Sequence, residues 1–190
     1  AAGVSFGSHG MTHARLTRLA PEAMRREIAE SARLIGERLG RPPAFFCYPF
    51  GDWNAAAAEA AAAAGYRGAV VTGGEPTLNP GVFHVVEKLR EWGFAIKLDT
   101  NGSRPRILEK LLPLVDYVAM DVKFAPADYP ARAGFADVAA LTESIRLIRE
   151  QAKAYEFRTT VIEAWHDADA MRAIGEWVRG AKLHVLQAFV

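Results

Sequence analysis

Two sets of residues in this chain have the types and spacing of reactive sites. The first is Ser8-His9-Gly10-Met11-Thr12-His13. Histidines four residues apart, on a helix or a tight turn, can bring both imidazoles to one metal ion. Two such ligands leave zinc underbound, and a carboxylate and a water would complete a hydrolytic site. The second set is spread along the chain: Gly73-Gly74-Glu75-Pro76-Thr77, Asp99-Thr100-Asn101-Gly102, Asp121-Val122-Lys123 and Arg158. Gly73 and Gly74 let the backbone approach a ligand without interference from a Cβ. Glu75 can accept hydrogen bonds from a ligand ammonium, and Lys123 can pair with a carboxylate. Taken singly, each motif also reads as a turn or a surface ion pair. Their order and spacing carry the weight.

The elements that must position these residues alternate with regularity. Short apolar runs predict strands at Val4–Ser8, Ala44–Tyr48, Gly68–Thr72, Ala95–Asp99, Tyr117–Asp121, Phe157–Ile162 and His184–Phe189. They show little alternation, as expected of parallel strands covered on both faces. Between them lie helical patterns. Pro21 opens one in which Met24, Ile28, Ala32, Ile35 and Leu39 keep helical spacing until Gly40. Asn54 caps an alanine-rich helix that ends at Gly65. A third runs from Asn79-Pro80 to Gly93 with Val82, Phe83, Val86 and Leu89 inward, and a fourth opens at Pro105. Asp137–Ala152 and Asp167–Gly180 supply the last two. About seven strands and six helices in β-α order predict a parallel (β/α) partial or distorted TIM-like barrel. The polar motifs follow strand ends, which in such a barrel share the face where active sites sit. The connection from Lys123 to Ala136, with Pro126, Pro130 and Gly134, is long enough to suggest a functional loop.

Composition narrows the classes. At 190 residues, 51% hydrophobic and 24% charged, the chain can bury a sizeable core. A net charge of +1 gives no reason to expect a nucleic-acid partner. No apolar run approaches the ~20 residues that span a bilayer, and no signal peptide is visible, so a cytoplasmic location is expected. The single cysteine, Cys47, excludes an intrachain disulfide. If the barrel is open, the edges at Val4–Ser8 and His184–Phe189 offer a route to self-association.

Two family resemblances attach to these motifs. Residues 1–72, through His9/His13, the Pro21–Leu39 helix and Tyr48-Pro49-Phe50-Gly51, resemble polysaccharide deacetylases of the NodB type. That resemblance implies a metal, zinc or another divalent ion, on His9 and His13, an N-acetyl sugar as substrate, and an acetyl pocket lined by the Pro49–Gly51 turn. The family's paired aspartates and its later general-acid histidine motif are unmatched, and His84, His166 and His184 do not stand in that context. Residues 69–190 resemble radical S-adenosylmethionine (SAM) proteins, with the activating proteins of anaerobic ribonucleotide reductase as the nearest kind. This implies SAM contacts at Gly73, Gly74 and Glu75, a ligand-proximal strand end at Asp99 and Asn101, further contacts at Asp121 and Lys123, a carboxylate contact at Arg158, and an adenine-facing strand at Val185–Phe189. Such proteins hold an iron–sulfur cluster through three cysteines, and Cys47 is alone, so no cluster is expected.

The sequence expectation is a chimera joined in the strand that both families share, Gly65 to Gly74. Its two barrel fragments form one domain, a scaffold with no catalytic residues assigned and no native catalysis. A metal-dependent hydrolase rebuilt at His9 and His13, with Glu75, Asp99 or Asp121 as third ligand, is one alternative. A SAM-binding module is the other.

Overall fold

A computed structural model describes residues 6–189. Seven strands stand in sequential order: β1 Gly7–Ser8, β2 Phe45–Cys47, β3 Gly68–Val71, β4 Ala95–Thr100, β5 Tyr117–Asp121, β6 Tyr155–Val161 and β7 His184–Ala188. The pairings β1–β2, β2–β3, β5–β6 and β6–β7 are all parallel. Each crossover passes through helical structure, as parallel neighbours require. This is the parallel (β/α) class with the sequential strand order of a TIM-like barrel. Val4 and Ser5, expected in the first strand, lie outside the described residues. Among the described residues there are seven α-helices: α1 Pro21–Leu39, α2 Ala55–Ala63, α3 Val82–Glu91, α4 Pro105–Leu111, α5 Tyr129–Arg132, α6 Val138–Gln151 and α7 Ala168–Trp177. None is long and apolar enough to cross a membrane.

The chain divides into two compact units, one holding the chain up to Gly74 with Gly81–Lys97, the other Glu75–Pro80 with Leu98 onward. In the first, Pro21 sits at the start of α1, where its missing N–H costs no hydrogen bond. Met24, Ile28, Ser31 and Ala32 form its buried stripe, while Leu39, at the last turn, is exposed. α2 is capped by Asn54, whose side chain accepts from the Ala57 N–H, and Ala57, Ala58 and Ala61 are buried. Side chains this small let α1 and α2 approach closely. Ser8 Oγ donates to Ser31 Oγ at 2.7 Å, and Ser31 Oγ to the Ile28 carbonyl at 2.7 Å, so the buried hydroxyls beneath β1 are satisfied.

In the second unit β4 and β6 largely alternate, unlike the expectation of strands covered on both faces, whereas β5 buries three successive residues, Val118, Ala119 and Met120. Leu98 and Thr100 of β4, Val118 and Met120 of β5, and Tyr155, Phe157 and Thr159 of β6 are buried. Asp99, Tyr117, Asp121, Glu156 and Arg158 point the other way and are half-buried. One face therefore packs on helices, with Leu108 and Leu111 of α4 and Leu141, Ile145 and Ile148 of α6 in the core. The other is a polar lining. The Lys123–Ala136 connection is also more ordered than a loop. It contains a 3₁₀ turn at Pro126–Asp128 followed by α5, and buried Tyr129 accepts the Lys123 N–H at 2.8 Å. Burial pushes the Tyr129 phenol up to about 12, so it stays neutral.

Candidate functional site

Within the second unit the site is built by three successive strands. Asp99 lies on β4, Asp121 closes β5 and Arg158 sits on β6, paired in register with Asp121. Arg158 Nε donates to Asp121 Oδ1 at 2.9 Å and its Nη1 to Asp99 Oδ2 at 3.3 Å. The guanidinium is 16% exposed, the Asp121 side chain 38%. Burial works against the arginine's charge, but the two aspartates more than offset it and hold Arg158 above its ordinary value. Arg158 thus has two carboxylate partners within the chain.

Glu75 has a similar internal commitment. Its Oε1 accepts from the Thr77 N–H at 3.1 Å, the Thr77 hydroxyl at 2.6 Å and the Thr100 hydroxyl at 2.8 Å, and its Oε2 from the Asn101 N–H at 2.5 Å. Four donors nearly exhaust a carboxylate. Glu75 thus pins the turn after β3 to the end of β4, and one direction on Oε2 remains for a ligand. Thr100 Oγ1 also accepts the Gly102 N–H at 3.1 Å, and Asn101 Oδ1 accepts the Ser103 N–H at 2.9 Å, which shapes the Asn101–Ser103 turn. Lys123 has an exposed ammonium, and among the described residues its main chain makes hydrogen bonds. Beyond the bond to Tyr129, its carbonyl accepts from His166 Nε2 at 2.8 Å.

In the first unit, Gly73 and Gly74 are exposed with φ of 98° and 57°. A Cβ built on Gly74 would meet nothing within 4 Å, so its bare peptide faces open space. Both conformations favour glycine. His9 and His13 come together with ring centroids 4.7 Å apart. His9 Nδ1 donates to the Cys47 carbonyl at 2.8 Å, which leaves Nε2 outward. His13 and Phe50 both take left-handed backbone, and their rings meet at 4.5 Å. Glu27 fixes this turn by accepting the Met11 and Thr12 N–H groups and the Thr12 hydroxyl. The rebuilt three-ligand site is not present: among the described residues no three His, Cys, Asp or Glu side chains form a metal-holding group.

Within the second unit, the Glu75, Asp99 and Asp121 carboxylates are groups suited to cationic partners, such as the ammonium and sulfonium of SAM. Against known families, residues 49–174 match the model of the radical SAM superfamily, and residues 1–69 that of polysaccharide deacetylase. A Methanocaldococcus jannaschii protein named for glycyl-radical enzyme activation is 32% identical over 128 residues, 63% of this chain and 53% of that protein. The 7-carboxy-7-deazaguanine synthase of Thermococcus kodakarensis is 38% identical over 91 residues, 44% of this chain and 34% of the synthase. The chain thus spans about half the length of the first relative and a third of the second. Among solved structures, TYW1 with a lysine-pyruvate adduct aligns over 90% of this chain and 55% of its own, with a TM-score of 0.57 and 19% identity. A domain of pyruvate-formate lyase-activating enzyme from Bacteroides vulgatus aligns over 62% of this chain and 75% of its own, with a TM-score of 0.54 and 19% identity. Both likenesses speak to the fold.

These matches correct one expectation. The family and its activating-enzyme relative point to SAM together with an iron–sulfur cluster, so the expectation of no cluster does not stand. The residues in hand do not themselves make its ligand set. Thiolates are the usual cluster ligands, and Cys47 is the single thiol. With a family model matched over more than half of its length, this chain belongs to the radical SAM superfamily.

Proposed function

We propose that the chain is a SAM-binding module of the activating-protein type. The observation that carries this is the strand-end assembly of Asp121 and Arg158, in register on adjacent parallel strands, with Asp99 of β4 on the same guanidinium and Glu75 pinning the preceding turn. SAM, when bound, supplies the sulfonium whose cleavage is the family's chemistry. The chain's own residues bind and orient: Glu75 Oε2 takes an ammonium hydrogen, and the Asp99 and Asp121 carboxylates attract cationic groups. Asn101 and Lys123 stand at the mouth as further contacts. The relative named for glycyl-radical enzyme activation supports a protein partner of that kind.

The same proposal treats the chain as two family fragments, a deacetylase-like 1–72 and a radical-SAM-like 69–190. The two family matches overlap over residues 49–69, which supports a common segment through α2 into the start of β3.

Calorimetric titration with SAM tests it. Saturable binding is expected, weakened about tenfold or more by Asp121→Asn, which removes one negative charge. Absence of binding by a cooperatively folding protein would rule the proposal out.

A further inference from the structure

The first unit carries a concavity that none of the strand-end residues touches. His84, Lys88 and Trp92 stand at i, i+4 and i+8 along α3 and its end, so they share one side of the helix. That side is opposite the buried Val82, Val86 and Leu89. Trp53-Asn54-Ala55, the lead into α2, faces them, and the six residues line a cavity of about 420 Å³. This is a volume suited to a small ligand.

The chemistry of the wall is one-sided. Trp53 and Trp92 meet edge to face, with ring centroids 6.2 Å apart at 76°, and both are only half-buried. Each indole brings ring surface and an N–H that donates and cannot accept. Asn54 has committed its Oδ1 to the Ala57 N–H at 2.9 Å, which leaves its NH₂ to donate. Lys88 is held in place by Glu91, with Nζ to Oε2 at 2.5 Å, and His84 adds an exposed imidazole. Among the described residues no carboxylate lines the cavity. Apolar ring walls, several N–H donors and an ammonium suit a ligand that has an apolar ring and bears acceptor oxygens with negative charge.

We infer that this cavity binds a small aromatic anion, its ring against Trp53 and Trp92 and its carboxylate or phosphate oxygens toward Lys88 and the N–H donors. The site is independent of SAM binding and is tested without SAM.

The probes are phenyl phosphate and benzoate, each titrated into the whole 190-residue chain and followed by tryptophan fluorescence and by the indole N–H signals in NMR. Saturation by either probe is expected, and the pair tells phosphate from carboxylate recognition. Trp92→Leu and Lys88→Met should each weaken it about tenfold or more, and phenol or inorganic phosphate should bind at least about tenfold more weakly than the ring-bearing anion. Lack of saturation by both probes up to about 10 mM overturns the inference. So does saturation that both variants leave unchanged, or equal binding of inorganic phosphate. Should Trp92→Leu fail to fold, Lys88→Met, made at a partly exposed side chain on the helix surface, decides alone.

Discussion

At the scale of single residues, Glu75 shows how far a motif can be read. Its place after two glycines was legible, and so was its capacity to accept hydrogen bonds. Its partners were not, because Thr100 and Asn101 lie 25 and 26 residues further along and only the parallel strand order brings them close. The hydroxyl of Thr100 is buried with nowhere else to donate in the present geometry. Glu75→Ala would strand that hydroxyl and the Asn101 N–H, and a bond to a charged acceptor contributes about 1.5–3 kcal/mol. Because these bonds are shared and partly solvated, the expected loss is about 2 kcal/mol. Glu75→Gln should lose less, since the amide oxygen still serves the Thr77 and Thr100 hydroxyls, while its NH₂ meets the Asn101 N–H as donor against donor. Urea unfolding of the three proteins should rank them in that order, and an unchanged midpoint in Glu75→Ala would show that the pin is not structural. His9 and His13 were legible as a pair from spacing alone. What spacing could not supply was a third ligand, since that depends on which elements meet.

At the scale of elements, punctuation was the readable part. Pro21, Asn54, Pro105, Asp137 and Asp167 stand at or beside the helix starts the structure shows. The strand at Tyr155–Val161 begins two residues earlier than its apolar run suggests, because Glu156 belongs to the polar face and masks the pattern. α5 escaped notice because four residues are too few for periodicity to register. The face of α3 that carries His84, Lys88 and Trp92 could have been found from its i, i+4, i+8 spacing. Gly102 looked like a common turn glycine, yet a Cβ there would run into the buried Met120 side chain and would sit at φ of 75°. The β6–β7 pairing makes a pH prediction. Thr159 Oγ1 donates to the Val122 carbonyl at 2.7 Å, so it accepts from His184 Nε2 at 2.9 Å. Burial holds the His184 imidazole below its ordinary value, so the folded state prefers it neutral. The unfolded chain then binds the extra proton first. The stability this preference maintains is present above about pH 6.5 and is lost as pH falls from there through the folded-state value. His184→Gln, which can keep a donor to Thr159, should flatten the fall of the melting temperature as pH drops below about 6.5. An equally steep slope in the variant would assign the effect to other groups.

For the molecule as a whole, the two sets of site residues fall under different family matches. His9 and His13 sit in the part matched by polysaccharide deacetylase, and Asp99, Asp121 and Arg158 in the part matched by radical SAM. The two sets also fall in different compact units. Free-energy effects of changes with no shared partners add, whereas groups that form one site couple. Here Arg158 is partnered by Asp99 and Asp121, and His9 by the Cys47 carbonyl. If the chain combines two family fragments, replacing both histidines by alanine should leave the SAM titration within about twofold of wild type. Asp121→Asn should still weaken it about tenfold in that background. Loss of SAM binding in the double histidine variant, with its melt unchanged, would show instead that the two sets form a single functional site and that the chain is not a joining of separable parts.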